Sequence, residues 1–150
     1  MDVEIRITGD EDLLKKLDEV IKRSSHFQRP LRKAAERVRE ASRANFTSDG
    51  FASGGWEPLD PEYAAWKLGH YGVAPELVRT GTLAESIGGR GVPIEVDAHN
   101  MKARLPEIKY AKFHQYGTEK MPARPIVITP PGFAEMVAND VGDYVMGHDD

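Results

Sequence analysis

Val3, Ile5 and Ile7 alternate with Glu4 and Arg6, a period of two that predicts a short half-buried strand. From Asp10 the period lengthens. Leu13, Leu14, Leu17, Val20 and Ile21 recur at helical spacing and predict an amphipathic helix over about residues 10–25. Acidic residues open it and Lys22 and Arg23 close it, the order that the helix dipole favours. Thr8 and Glu11 before it hold the spacing of a capping box. A second helix is predicted from Pro30, which suits a first turn, to about Phe46. Its Leu31, Ala34, Val38, Ala41 and Asn45 share one side, rich in small residues that let a neighbour approach closely.

Residues 47–75 break the pattern with repeated Gly and Pro, and five aromatics are interleaved there. The prediction is a long aromatic- and glycine-rich loop holding one short helix from Pro61 to about Lys67. Glu76 to Ile87 reads as a short helical stretch interrupted at Thr80-Gly81. Ile94 and Val96, then Met101, Ala103 and Leu105, alternate with polar residues and predict a β-hairpin. His99-Asn100 forms its turn, where asparagine tolerates positive φ. Ile108 to Tyr116 reads as a helical turn or two, closed by Gly117 as a left-handed cap. Pro122 and Pro125 keep Met121–Pro125 extended, Ile126-Val127-Ile128 suits a buried strand, and Pro130-Pro131 opens a last helix to about Val145. Its candidate stripe is Phe133, Met136, Val137, Val141 and Tyr144. The expected fold is α+β: an antiparallel sheet of about four strands, packed by the two N-terminal helices and flanked by the C-terminal one. One domain over residues 1–146 and a flexible tail at 147–150 are expected.

Composition narrows the function. Of 150 residues, 40% are apolar and 29% charged, which suits a folded soluble chain. The absence of cysteine removes disulfides, thiolate catalysis and cysteine-based zinc sites together. No stretch approaches the ~20 apolar residues of a membrane span, and the first residues lack the marks of a signal peptide, so a cytoplasmic origin is expected. The histidines at 26, 70, 99, 114 and 148 show no HExxH or comparable metal spacing, and there is no GxSxG elbow or phosphate loop. No enzymatic activity, metal or cofactor is therefore expected.

Net charge is −4, which argues against general nucleic-acid coating but leaves a local basic face open. Arg32, Lys33, Arg37, Arg39 and Arg43, with Arg29, outnumber Glu36 and Glu40 on the second helix. They form either a nucleic-acid or partner face, or a solvated face with pairs such as Arg32–Glu36. Trp56, Tyr63 and Trp66 either cap the core or anchor a partner, since Trp and Tyr dominate interface hot spots. Downstream, Gly117 stops a helix, Pro122 and Pro125 stiffen a connector, and Arg124 offers a planar fork of donors. With His114 and Tyr116 that connector either orders a subunit interface or locks a turn within one monomer.

Several of these segments together carry a family likeness. Tyr110-Ala111, His114-Gln115-Tyr116-Gly117, Pro122-Ala123-Arg124-Pro125 and Ile126-Val127-Ile128 form a block that resembles the phage virion morphogenesis proteins, which include Mu-like tail-completion proteins. Upstream, Gly55-Trp56-Glu57-Pro58-Leu59 resembles the family's W-x-P-L loop. Leu77-Val78-Arg79-Thr80-Gly81-Thr82-Leu83 with Ser86 resembles its L-x-x-T-G-x-L-x-x-S segment. The matches keep their order over residues 55–128, about half the chain. The resemblance implies a structural, non-enzymatic subunit of the head–tail junction (tail completion, tail terminator or neck) that forms a homo-oligomeric ring, hexameric in a tail's symmetry. It implies connector or head-closure and tail-tube proteins as partners, and DNA passing through the lumen, which the basic helix would line unless it met an acidic neighbouring ring. The setting it implies is the virion tail or neck, with the host cytoplasm during assembly. The alternative reading is a nucleic-acid-binding module using the basic face of helix 29–46.

Overall fold

The computed structural model describes residues 10–148. The strand predicted over residues 3–7, the Thr8 capping position and the last two residues lie outside that range. Helix α1 (Asp10–Ser24) leads into α2 (Gln28–Thr47), a 3₁₀ turn (Phe51–Ser53) and α3 (Pro61–Tyr71). Next come α4 (Thr82–Ala84), which runs on into a π-helical turn (Glu85–Arg90), and the strands β1 (Ile94–Val96) and β2 (Met101–Ala103). α5 (Ala111–Tyr116) and α6 (Phe133–Met146) complete the order.

α2 is the element that meets the most others: α6, the 3₁₀ turn, the π-helical turn and both strands. Its small-residue side buries Ala34, Ala35 and Val38 and, toward its end, Ser42, Asn45 and Phe46. α2 meets α6 through Lys33 and Arg37, which pair with Asp140. Phe46 opens the core, which continues through Trp56, Leu77, Leu83, Ile87, Val92, Ala111 and Ile126. Each large side chain buried there stabilises the fold by roughly 1.5–3 kcal/mol.

The sheet is smaller than expected. Among the described residues it has two antiparallel strands, β1 and β2, with Glu95 opposite Lys102. The hairpin turn is held by the carboxylate of Asp97, which accepts from the backbone N–H of His99 at 2.8 Å and of Asn100 at 2.7 Å. Asn100 needs no positive φ; among the described non-glycine residues only Asp49 has one. Ile126–Ile128 forms no strand and bends at Val127. Side chains take the place of one: Gln115 Oε1 accepts from the N–H of Ile126 and of Val127, both at 2.9 Å. Ser42 Oγ accepts from the N–H of Ile128 at 3.0 Å.

Two further expectations are corrected. Residues 47–75 are not one long loop, because α3 runs one turn beyond the expected short helix. Asp60 caps it, its carboxylate accepting from the N–H of Glu62 at 3.0 Å and of Tyr63 at 3.1 Å. The two N-terminal helices do not both pack on the sheet. α2 does, whereas α1 lies against α6, where Arg23 Nη1 donates to the Tyr144 carbonyl at 3.4 Å. Of the α1 stripe only Val20 is half-buried; Leu13, Leu14, Leu17 and Ile21 are exposed.

Candidate functional site

Arg124 stands at the meeting point of three distant segments. α5 ends at Gly117, whose φ is +73°, and a Cβ there would lie 2.8 Å from the Ala123 nitrogen. Only glycine lets the chain turn so closely on itself. The connector then folds back, and the Arg124 N–H donates to the His114 carbonyl at 2.6 Å. The Arg124 side chain is 3% exposed. Its Nε donates to the Glu57 carbonyl and its Nη2 to the Pro58 carbonyl, both at 2.9 Å. Trp56 answers from the other side, its Nε1 donating to the Pro125 carbonyl at 3.1 Å while its ring meets Phe46 edge-on at 5.7 Å. The tryptophan loop and the proline connector, far apart in sequence, thus form one clamp.

Behind the clamp lies a recess of about 610 Å³ whose wall includes Tyr63, Lys67, Glu76, Tyr110, His114 and Arg124. Lys67 is as buried as Arg124, and its Nζ donates to the carbonyls of Pro75 at 2.5 Å and Glu76 at 2.9 Å. Burial pulls its ammonium below the usual lysine range, against the pull of Glu76 and Asp49. Burial pushes the Glu76 carboxyl up, and Arg124, with its Nε 3.6 Å from Glu76 Oε2, opposes that shift. His114 is lowered, first by burial and then by the Arg124 charge. Oε2 of Glu76 and Nδ1 of His114 are buried without a hydrogen-bond partner. The arrangement can pin three loops together and offer unfilled polar atoms to a guest group. Among the described residues, no three His, Asp or Glu side chains converge as a metal site requires.

The sequence candidates fall into separate groups. Trp56 and Arg124 are buried in the clamp, and His114 is half-buried beside the recess. Tyr63 and Trp66 are exposed on α3, stacked at 5.5 Å, and Trp66 stacks on His70 at 4.6 Å. Tyr116 is exposed at the end of α5. On α2, Lys33 Nζ lies 2.8 Å from Asp140 Oδ1, and Arg37 pairs with the same carboxylate. Burial by itself raises Asp140, but hydrogen bonds from Arg37 and Lys33 and their charges outweigh it and hold the carboxyl below its usual range. Arg39 pairs with Glu36 and donates through Nε to the Val92 carbonyl at 3.2 Å. Arg32 and Arg43 are exposed.

Sequence reasoning missed Lys67, Glu76, Gln115 and Ser42. For Ser42 a signal existed: with Asn45 it puts polar atoms on the α2 side that also carries Ala34 and Val38. Such atoms need partners when buried, and Asn45 Nδ2 finds the Pro125 carbonyl at 3.0 Å. Lys67 carried no such mark, since it stands among ordinary helix formers.

In comparison with known proteins, the model of the phage virion morphogenesis family matches residues 9–148. Neither a curated protein nor a solved structure gives a significant match.

Proposed function

The chain belongs to the phage virion morphogenesis family, and from that premise we propose that it is a subunit of the tailed-phage head–tail junction, completing the tail or neck. Its general role is structural, in virion assembly, and it is virion-associated. Among the described residues, no helix is long and apolar enough to cross a membrane. In the proposed role it forms a homo-oligomeric ring, hexameric to match a tail, and binds the connector or head-closure proteins on one side and the tail tube on the other.

One observation carries this reading: two helices expose apolar faces. Leu13, Leu14, Leu17 and Ile21 of α1 are 58%, 64%, 47% and 65% exposed. Tyr63, Trp66 and Tyr71 of α3 are 41–44% exposed and touch one another through Trp66. Lys67 is the one buried residue of α3, and Tyr63, Trp66 and Tyr71 around it keep part of their surface in solvent. Apolar faces of this extent mark interaction sites. Faces on two different elements suit head-to-tail contacts, which close into rings.

The basic face of α2 weighs less for a nucleic-acid module, because Lys33 and Arg37 engage Asp140 and Arg39 engages Glu36 and Val92. Complementation tests the proposal. A phage lacking this gene should accumulate separate heads and tails, joined again when the chain is supplied. Normal particles without it would overturn the assignment.

A further inference from the structure

The recess behind the clamp is built like a binding site, and the chain's own groups do not complete it. Its volume, about 610 Å³, lies in the range of ligand sites. Leu77 and Leu83 give it apolar wall, and Tyr63 and Tyr110 stand beside them. Four cations line it: Lys67 and Arg124 are buried, and Arg79 and Lys120 are exposed. Arg124 engages carbonyls through Nε and Nη2, which leaves its Nη1 edge without an acceptor among the described residues. On the same wall, His114 Nδ1 and Glu76 Oε2 are buried without a hydrogen-bond partner, Glu76 Oε2 having only the charge of Arg124 3.6 Å away. Buried polar atoms are nearly always paired in folded proteins, so the orphan His114 Nδ1 in this recess points to a missing partner group.

We propose that this recess is a socket for a carboxylate, carried by an acidic side chain of a neighbouring protein in the assembly. The proposal rests on the assembly role above. A carboxylate accepts from the free edge of the Arg124 fork and from His114 in its Nδ1–H tautomer, which gives the orphan nitrogen its partner. The aliphatic stem of the guest packs against Leu77 and Leu83. Arg79 and Lys120 draw the charge in from solvent. Three carboxyls of the lining oppose a guest carboxylate: Glu57 and Asp60 at exposed positions, Asp60 already engaged in capping α3, and Glu76, which Arg124, Lys67 and Asp49 face. Burial pushes the Glu76 carboxyl up, and Arg124, whose Nε lies 3.6 Å from Glu76 Oε2, opposes that shift.

The test uses the full chain, labelled with ¹⁵N, and acetate as the probe. Millimolar acetate should shift the His114 ring and Arg124 Nε resonances saturably and raise the His114 titration midpoint. Only Arg124 now acts on that imidazole electrostatically, and it acts downward. Chloride at equal ionic strength should do neither. Arg79→Gln and Lys120→Gln lie on exposed positions that the fold does not need, and should weaken acetate binding about threefold to tenfold. Shifts that grow linearly with acetate and match those of chloride would overturn the socket. Inorganic phosphate binding more tightly than acetate would overturn the carboxylate assignment. Because the probe acts on the isolated chain, a protein that joins heads to tails yet ignores acetate refutes the socket alone. One that binds acetate but joins nothing refutes the assembly role.

Discussion

Gln115 and Val127 pair as two strand residues would: the Val127 N–H donates to Gln115 Oε1 and Gln115 Nε2 donates to the Val127 carbonyl, both at 2.9 Å. A side-chain amide has the same donor and acceptor as a backbone peptide. One glutamine, placed at the end of α5, therefore does the work of a neighbouring strand for the Ile126–Ile128 segment. From the α2 side, Ser42 adds the same service, its Oγ accepting from the Ile128 N–H and donating to the Ile128 carbonyl.

Gln115→Ala should leave the N–H groups of Ile126 and Val127 and the Val127 carbonyl without partners. Unpaired buried backbone groups cost roughly 1–3 kcal/mol each, partly recovered by water, so a loss on the order of 3 kcal/mol is expected. In thermal unfolding that lowers Tm by about 10 °C for a chain of this size. The neighbouring Tyr116→Ala, at an exposed position, should change stability by less than about 0.5 kcal/mol. Equal effects at the two positions would contradict the strand-substitute role.

Two glycines with positive φ but different ψ, 10° at Gly54 and −177° at Gly117, should respond differently to alanine. Gly54 has φ +93° and open space around the site of a Cβ, so Gly54→Ala bears only the left-handed strain, about 1 kcal/mol. Gly117→Ala adds a clash with the Ala123 nitrogen and the Met121 carbonyl oxygen, both backbone atoms that cannot swing away. Denaturant midpoints should show Gly117→Ala as clearly the more damaging.

Most helices were legible from their periodicity because each buries a stripe or begins at a marked residue, as α2 does near Pro30 and α3 at Asp60-Pro61. The hairpin was legible from alternation. The Ile126–Ile128 segment misled because a buried apolar run looks alike whether its hydrogen bonds go to a strand or to side chains. The α1 stripe misled for a related reason: periodicity shows that a face is apolar and does not say whether the chain's own core covers it. The clamp was half legible, since Trp56 and Arg124 stood out, but their pairing through backbone carbonyls leaves no trace in residue type. Lys67 and Glu76 were invisible, because a buried charge is defined by what surrounds it.

The recess should give opposite pH slopes through two residues. His114 in the folded chain titrates below its ordinary value of 6.5, so the unfolded chain binds the proton first as pH falls. Its contribution is present above 6.5 and is lost as pH falls through the lowered value. Glu76 titrates above its ordinary value of 4.5 when folded, so its contribution is present below 4.5 and is lost as pH rises through the raised value. His114→Gln removes the first slope and keeps the second. Relative to the parent chain, this variant should gain stability as pH is lowered from about 7 to about 5, measured by denaturant titration at each pH.

Substitutions on the exposed apolar faces should separate folding from assembly. Leu17→Glu sits on a surface and should move the unfolding free energy by no more than about 0.5 kcal/mol. Trp66→Ala also loses its ring contacts with Tyr63, His70 and Tyr71 and should cost about 1–2 kcal/mol without unfolding the chain. Self-association should weaken by tenfold or more if these residues are anchors, because a central aromatic or aliphatic anchor is worth about 2 kcal/mol or more. Sedimentation velocity reads the association, and far-UV circular dichroism confirms the fold. Unchanged association in both variants would remove these faces from the interface.

The central claim is that this chain works as a ring-forming assembly subunit, and native mass spectrometry of the full chain tests it most directly. The subunit is 16.7 kDa. The expected result is one closed oligomer at a fixed multiple of that mass, hexameric for a ring that matches a tail, formed alone or on addition of the connector and tail-tube proteins of its phage. A species that stays at the subunit mass under both conditions would contradict the account.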